Sequence, residues 1–168
     1  MITVDLPGRP SNPLAPDMVS LDLYHDSVAK ALGGVLIPAV VVGHSFGGIV
    51  ISAAAEQAPK KIKTLVYLAA YLPQNGDSLV SLAQRDADAK VGPHLQIEQD
   101  KGVASIEYSA HADLFANGGP DGLRKAFPDL ILDEPLATLA PLATPVMLTD
   151  ALAIGSSFHR CWRLPFSL

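Results

Sequence analysis

The stretch Ala39-Val-Val-Val-Gly-His-Ser-Phe-Gly-Gly48 constrains the chain more than any other feature. Its β-branched run, bounded by Pro38 and Gly43, reads as a strand buried on both faces of a parallel sheet. Without a spacer it passes into Gly47 to Ala58, small and apolar almost all round and closed by Pro59, the pattern of a helix packed on that sheet. Lys63 to Ala70 reads as a further buried strand. The turn between first strand and helix, Gly43-His44-Ser45-Phe46-Gly47, has the form G-x-S-x-G. A serine on so tight a turn is strained, and the residues two before and two after it must be glycine or very small for the two backbones to pass. Ser45 is thereby raised above the sheet edge, and the Phe46 N–H at the helix N-terminus is placed to donate to a developing oxyanion.

The surrounding chain supports an α/β class. Ile2 to Asp5 reads as a short strand, followed by a loop in which Pro7, Gly8, Pro10 and Pro13 forbid regular structure. From Ser20, a natural N-cap, Leu21, Tyr24, Val28 and Leu32 fall at helical spacing until Gly33-Gly34 stops the helix. Strand, helix, strand, helix, strand is the order of βαβ units in a parallel sheet. After Pro73 the pattern changes to interleaved charged and small residues, with helical spacing at Arg85–Lys90 and Leu123–Phe127, so a helical excursion is expected. Asp133 to Pro145 spaces its prolines too closely for a long helix and should be extended or broken into turns. The expected organisation is a core at 1–72, a helical cap at 73–145 and an atypical tail at 146–168.

Composition narrows the function classes. With 49% apolar and 17% charged residues the 168-residue chain can bury a core, and wholesale disorder is excluded. A formal charge of −5, with no basic cluster beyond Lys60-Lys61-x-Lys63, gives no footprint for nucleic acid or an anionic membrane. No apolar run reaches the roughly 18 residues that span a bilayer. The single cysteine, Cys161, excludes an intrachain disulfide and a cysteine-based metal site, so a cytoplasmic setting, no cofactor and no metal are expected.

On the elbow and its flanks the chain resembles the α/β-hydrolase superfamily, in its small esterase and hydroxynitrile-lyase-like branch, with plant methylesterases and bacterial pyrethroid hydrolases. Val4-Asp5-Leu6-Pro7-Gly8 is similar to that branch's strand-end loop. Ser20 to Tyr24 resembles the start of the next helix, Val42 to Gly48 the nucleophile elbow, Val66 to Pro73 the strand entering the cap, and Glu134 to Val146 the end of the cap. The resemblance implies a partial α/β-hydrolase fold, a parallel sheet with helices on both faces plus a helical cap. It also implies ester hydrolysis on a small apolar substrate, with Ser45 as nucleophile and Phe46 as main-chain oxyanion donor. A lyase on the same scaffold is not separated from an esterase by these residues.

The departures from the family pattern define the remaining expectations. Members carry a strand and a His-Gly loop ahead of the Asp5-Leu-Pro-Gly8 segment, where only Met1 precedes Ile2 here, and two further βα units after the cap, where only residues 146–168 follow Pro145. The chain is therefore read as shortened at both ends, with a frameshifted or alternatively terminated tail and a weakened or absent activity. His159 is the one histidine in the family's chain order, with Asp150 as acid and Asp133 as the other candidate; surface roles for them are the competing reading. His44 and His111 are candidate pocket residues, His25 reads as a surface residue, His94 lies in the cap, and Asp5 reads as a turn cap. Loss of the neighbouring strand would expose sheet edges and favour self-association. The contrasting reading is a non-catalytic small-molecule or partner-binding remnant that keeps the elbow only as a turn.

Overall fold

The computed structural model describes residues 1–139. Helix α1 (Leu21–Gly33) starts where the side chain of Ser20 accepts the Leu23 N–H at 3.2 Å, with Asp22 in the first turn. Strand β1 (Ala39–Ser45) leads through the elbow into α2 (Gly47–Gln57), and β2 (Ile62–Ala70) returns parallel to β1. These three elements form one βαβ unit. On its covered face α2 packs on both strands and α1 packs against α2, around a core of Val19, Leu21, Tyr24, Val28, Ile49, Val50, Ala53 and Ala54.

Three expectations change in this half. Ile2–Asp5 forms no strand, because β1 and β2 are each other's only partners among the described residues and an extended segment without a ladder is not a strand; Val4 and Leu6 still lean on the core. The β1 run is not buried on both faces. Val40 and Val42 are each 57% exposed and Leu68 on β2 is 56% exposed, so the described helices cover one face of the sheet and leave the other open. His25 is not a surface residue: it is 3% exposed, four residues after Leu21 on the same helical stripe, with Nε2 3.0 Å from Asp22 and Nδ1 2.8 Å from Gln57 on α2.

Residues 73–139 are mixed rather than helical. Short helices α3 (Leu79–Gln84), α4 (His111–Phe115) and α5 (Asp121–Ala126) alternate with 3-10 turns, and Arg85–Lys90 is turn rather than helix. Between them lies a three-stranded antiparallel sheet of β3 (Leu95–Glu98), β4 (Val103–Ile106) and β5 (Glu134–Pro135). The β3–β4 hairpin turns at Gly102, whose φ of +69° suits a residue without a Cβ.

Candidate active site

Ser45 ends β1 with φ of +53°, in the left-handed region that L-residues other than glycine rarely enter. The close approach of strand and helix that forces this geometry is visible at two glycines. A Cβ on Gly43 would lie 2.6 Å from the Gly47 carbonyl oxygen, and one on Gly48 would lie 2.1 Å from the Tyr71 carbonyl oxygen. Gly47 has open space where its Cβ would go, so the small residue required after the serine is Gly48, three positions on, and not Gly47 as the motif alone suggests.

Phe46 follows as the N-cap of α2, with φ −54° and ψ −30°. Among the described residues no side chain caps this helix end and no acidic residue sits in its first turn, so none of them offsets the positive end of the helix dipole there. The Phe46 ring meets Tyr24 of α1 edge to face, with centroids 6.2 Å apart. Tyr24 is fully buried, and its hydroxyl accepts from Arg9 Nη2 at 3.1 Å. Arg9 also ion-pairs with Glu134 and donates to the Asp133 carbonyl oxygen at 3.1 Å, while the Thr138 hydroxyl donates to the other Glu134 oxygen at 2.9 Å. Burial and then the Glu134 charge push the Tyr24 phenol far above its usual range. Burial opposes the Arg9 charge, but the Glu134 carboxylate more than offsets it and holds the guanidinium above its usual value. Sequence reasoning missed Arg9 and Glu134; only the position of Tyr24 on the apolar stripe of α1 signalled any of this network.

The candidate histidines are dispersed. His44 is exposed, on the open face of the sheet with Val40 and Val42. His111 is buried on α4, with Nδ1 3.1 Å from the Pro128 carbonyl oxygen and Nε2 2.8 Å from that of Ile106, so a ring N–H is spent on the main chain. His94 pairs with Glu107 at 3.1 Å. Among the described residues no hydrogen bond joins a histidine to Ser45. Asp150, His159 and Cys161 lie outside the described residues. Asp133 contributes a main-chain oxygen to Arg9, and Asp5 ties the first loop through Ser11 and through Asn12 Nδ2 at 3.0 Å. A groove of about 530 Å³ runs past Lys90, His94, Glu107 and Asp113, and another of about 360 Å³ lies between Arg9 and Leu132–Pro135; Ser45 lines neither. Among the described residues no group of three or more histidine, cysteine, aspartate or glutamate side chains is placed to hold a metal ion, and no helix is long and apolar enough to cross a membrane.

A strand-to-helix elbow with a left-handed serine, on a parallel sheet, defines the architecture of an α/β hydrolase. The chain belongs to the alpha/beta hydrolase family, whose sequence model matches residues 1–164. Over 43 residues it is 51% identical to a carbendazim hydrolyzing esterase of Nocardioides sp. (strain SG-4G), a match covering 26% of this chain and 18% of that protein. An extracellular α/β-hydrolase from a Paenibacillus species, described as a structural and functional homologue of tobacco salicylic acid binding protein 2, superposes with a TM-score of 0.64 at 23% identity over 82% of this chain and 57% of its own. The pyrethroid hydrolase PytH superposes with a TM-score of 0.63 at 22% identity, over 82% of this chain and 56% of its own. The chain thus spans little more than half the length of these structural relatives, and the likeness is one of fold.

Proposed function

We propose that the chain is a serine hydrolase that cleaves carboxylic esters of small apolar substrates, in the branch of the methylesterases and pyrethroid hydrolases. The observation that carries this reading is Ser45 at φ +53° between β1 and α2, with Gly43 and Gly48 admitting the close backbone approach. In this reaction Ser45 Oγ attacks the ester carbonyl carbon while its proton passes to a histidine base, and the carbonyl oxygen becomes an oxyanion facing the Phe46 N–H. Collapse expels the alcohol and leaves an acyl-serine, which water then hydrolyses with the same base. His159, oriented by Asp150, is the proposed base, and His44 beside the nucleophile is the proposed substrate contact. A cytoplasmic setting belongs to the same proposal, supported by the solitary cysteine. The open apolar face at Val40, Val42 and Leu68 supports self-association of the isolated chain, which sedimentation velocity over a concentration series reads directly.

A fluorophosphonate probe tests the nucleophile. Stoichiometric labelling at Ser45, lost in Ser45→Ala and slowed by orders of magnitude in His159→Ala, is the expected result; a folded chain that is never labelled overturns the reading. A non-catalytic binding remnant is the second reading, favoured by the commitment of His25, His94 and His111 to other partners. It requires ligand binding that Ser45→Ala leaves unchanged.

A further inference from the structure

Ser45 is one of two non-glycine residues with positive φ among the described residues; the other is Ala69, at φ +43°, near the end of β2. Both fall at one register shift of the β1–β2 pair. His44 pairs with Leu68 and Ser45 with Ala70, so Ala69 is an extra residue in β2, a one-residue bulge of a kind uncommon in parallel pairs. Its consequence falls on Tyr71. The Tyr71 N–H donates to the Ser45 carbonyl oxygen at 3.1 Å, and the Tyr71 carbonyl occupies the space that a Cβ on Gly48 would need. One peptide segment thus grips the chain on both sides of the elbow.

We propose that the Ala69 bulge is the positioning element that holds Ser45 in its left-handed conformation. Were Ala69 taken into the ladder as the partner of Ser45 instead of bulging out, Tyr71 would move along the strand by about one residue, roughly 3.3 Å. Its N–H would then miss the Ser45 carbonyl, and its own carbonyl would leave Gly48. The strained φ of Ser45 would lose both main-chain restraints and relax toward the extended conformation of the rest of β1. Ala69 touches no reacting atom; it acts through Tyr71. The proposal deepens the nucleophile reading, but it concerns a backbone conformation that can be read without any reaction.

The test compares Ala69→Gly, which enters the left-handed region freely, with Ala69→Val, whose branched Cβ resists it. In the full chain, amide hydrogen exchange at Tyr71 and the backbone chemical shifts of Ser45 report the bracket, and fluorophosphonate labelling reports its use. Ala69→Gly should raise the unfolding midpoint, keep Tyr71 protected and leave the Ser45 shifts in place. Ala69→Val should lose at least tenfold in Tyr71 protection and in Ser45 labelling, with Ser45 shifts moving toward strand values while amides of α2 stay protected. A folded Ala69→Val chain with Tyr71 protection and Ser45 shifts unchanged overturns the proposal. Should that variant fail to fold, Ala69→Gly decides alone: a lowered midpoint or displaced Ser45 shifts overturn it. Absence of labelling in the parent chain, with the exchange pattern as expected, removes the nucleophile reading and leaves the bracket standing.

Discussion

Arg9 and Glu134, 125 residues apart in sequence, form an ion pair over the buried ring of Tyr24. The pair ties the loop before α1 to β5, the last strand of the three-stranded sheet. About a fifth of each side chain is exposed, which places the interaction between a screened surface bridge and a desolvated one. Glu134→Gln should therefore cost about 1–2 kcal/mol, the range for a charge-assisted hydrogen bond reduced by solvent screening. Chemical denaturation of the variant measures it, and Tyr24→Phe, which keeps the ring against Phe46, should cost less.

Gly47→Ala and Gly48→Ala should have opposite effects. Gly47 opens α2 with free space at its Cβ position, so alanine there should stabilise by up to about 1 kcal/mol through helix propensity. At Gly48 the new methyl would collide with the main-chain oxygen of Tyr71, which no rotamer can relieve. Thermal unfolding should show a raised midpoint for the first and a severe loss of folded protein for the second.

His111→Ala should act on stability rather than on substrate affinity. The substitution removes the ring N–H that serves a half-buried main-chain carbonyl, that of Ile106 or of Pro128, and the cost is about 1–3 kcal/mol. Denaturant titration beside a KM measurement on any ester turned over distinguishes a lining residue from a packing one.

Asp77 should make folding sensitive to acid. The Gln74 N–H at 2.8 Å and the Arg85 guanidinium, acting against burial, hold its carboxyl below the usual carboxylate range. A depressed folded value means the stabilisation is present above the unfolded value of about 4 and is lost as pH falls through the folded one. Unfolding free energy measured from pH 6 downward should decline in this window, and Asp77→Asn should flatten that part of the profile.

The elbow, α1, α2 and β2 were legible in the sequence because each is written in contiguous residues: a β-branched run, a stripe from Leu21 to Leu32, a small-residue helix. Ile2–Asp5 failed as a strand because a strand is a property of a pair. The half-exposure of Val40 and Val42 failed for a related reason, since what covers a sheet face lies elsewhere in the chain. His25 could have been placed from its spacing to Leu21, and β3 from the alternation Leu95-Gln-Ile-Glu98 before the glycine turn at Gly102. Of the candidate site, the turn at Ser45 and the demand on Gly43 were legible, whereas the motif put at Gly47 the demand that falls on Gly48. The Ala69 bulge and the Arg9–Tyr24–Glu134 network were not, because register and long-range pairing leave no local pattern.

The β1–α2–β2 unit has a consequence for the order of folding. Every main-chain restraint described on Ser45 comes from residues 43–71, so the turn can form as soon as this short stretch collapses. The Arg9–Glu134 contact closes a far longer loop, with a correspondingly larger entropic barrier. Refolding should therefore show protection of the α2 amides before the Arg9–Glu134 pair closes over Tyr24, with the serine's conformation set while β5 is still being captured.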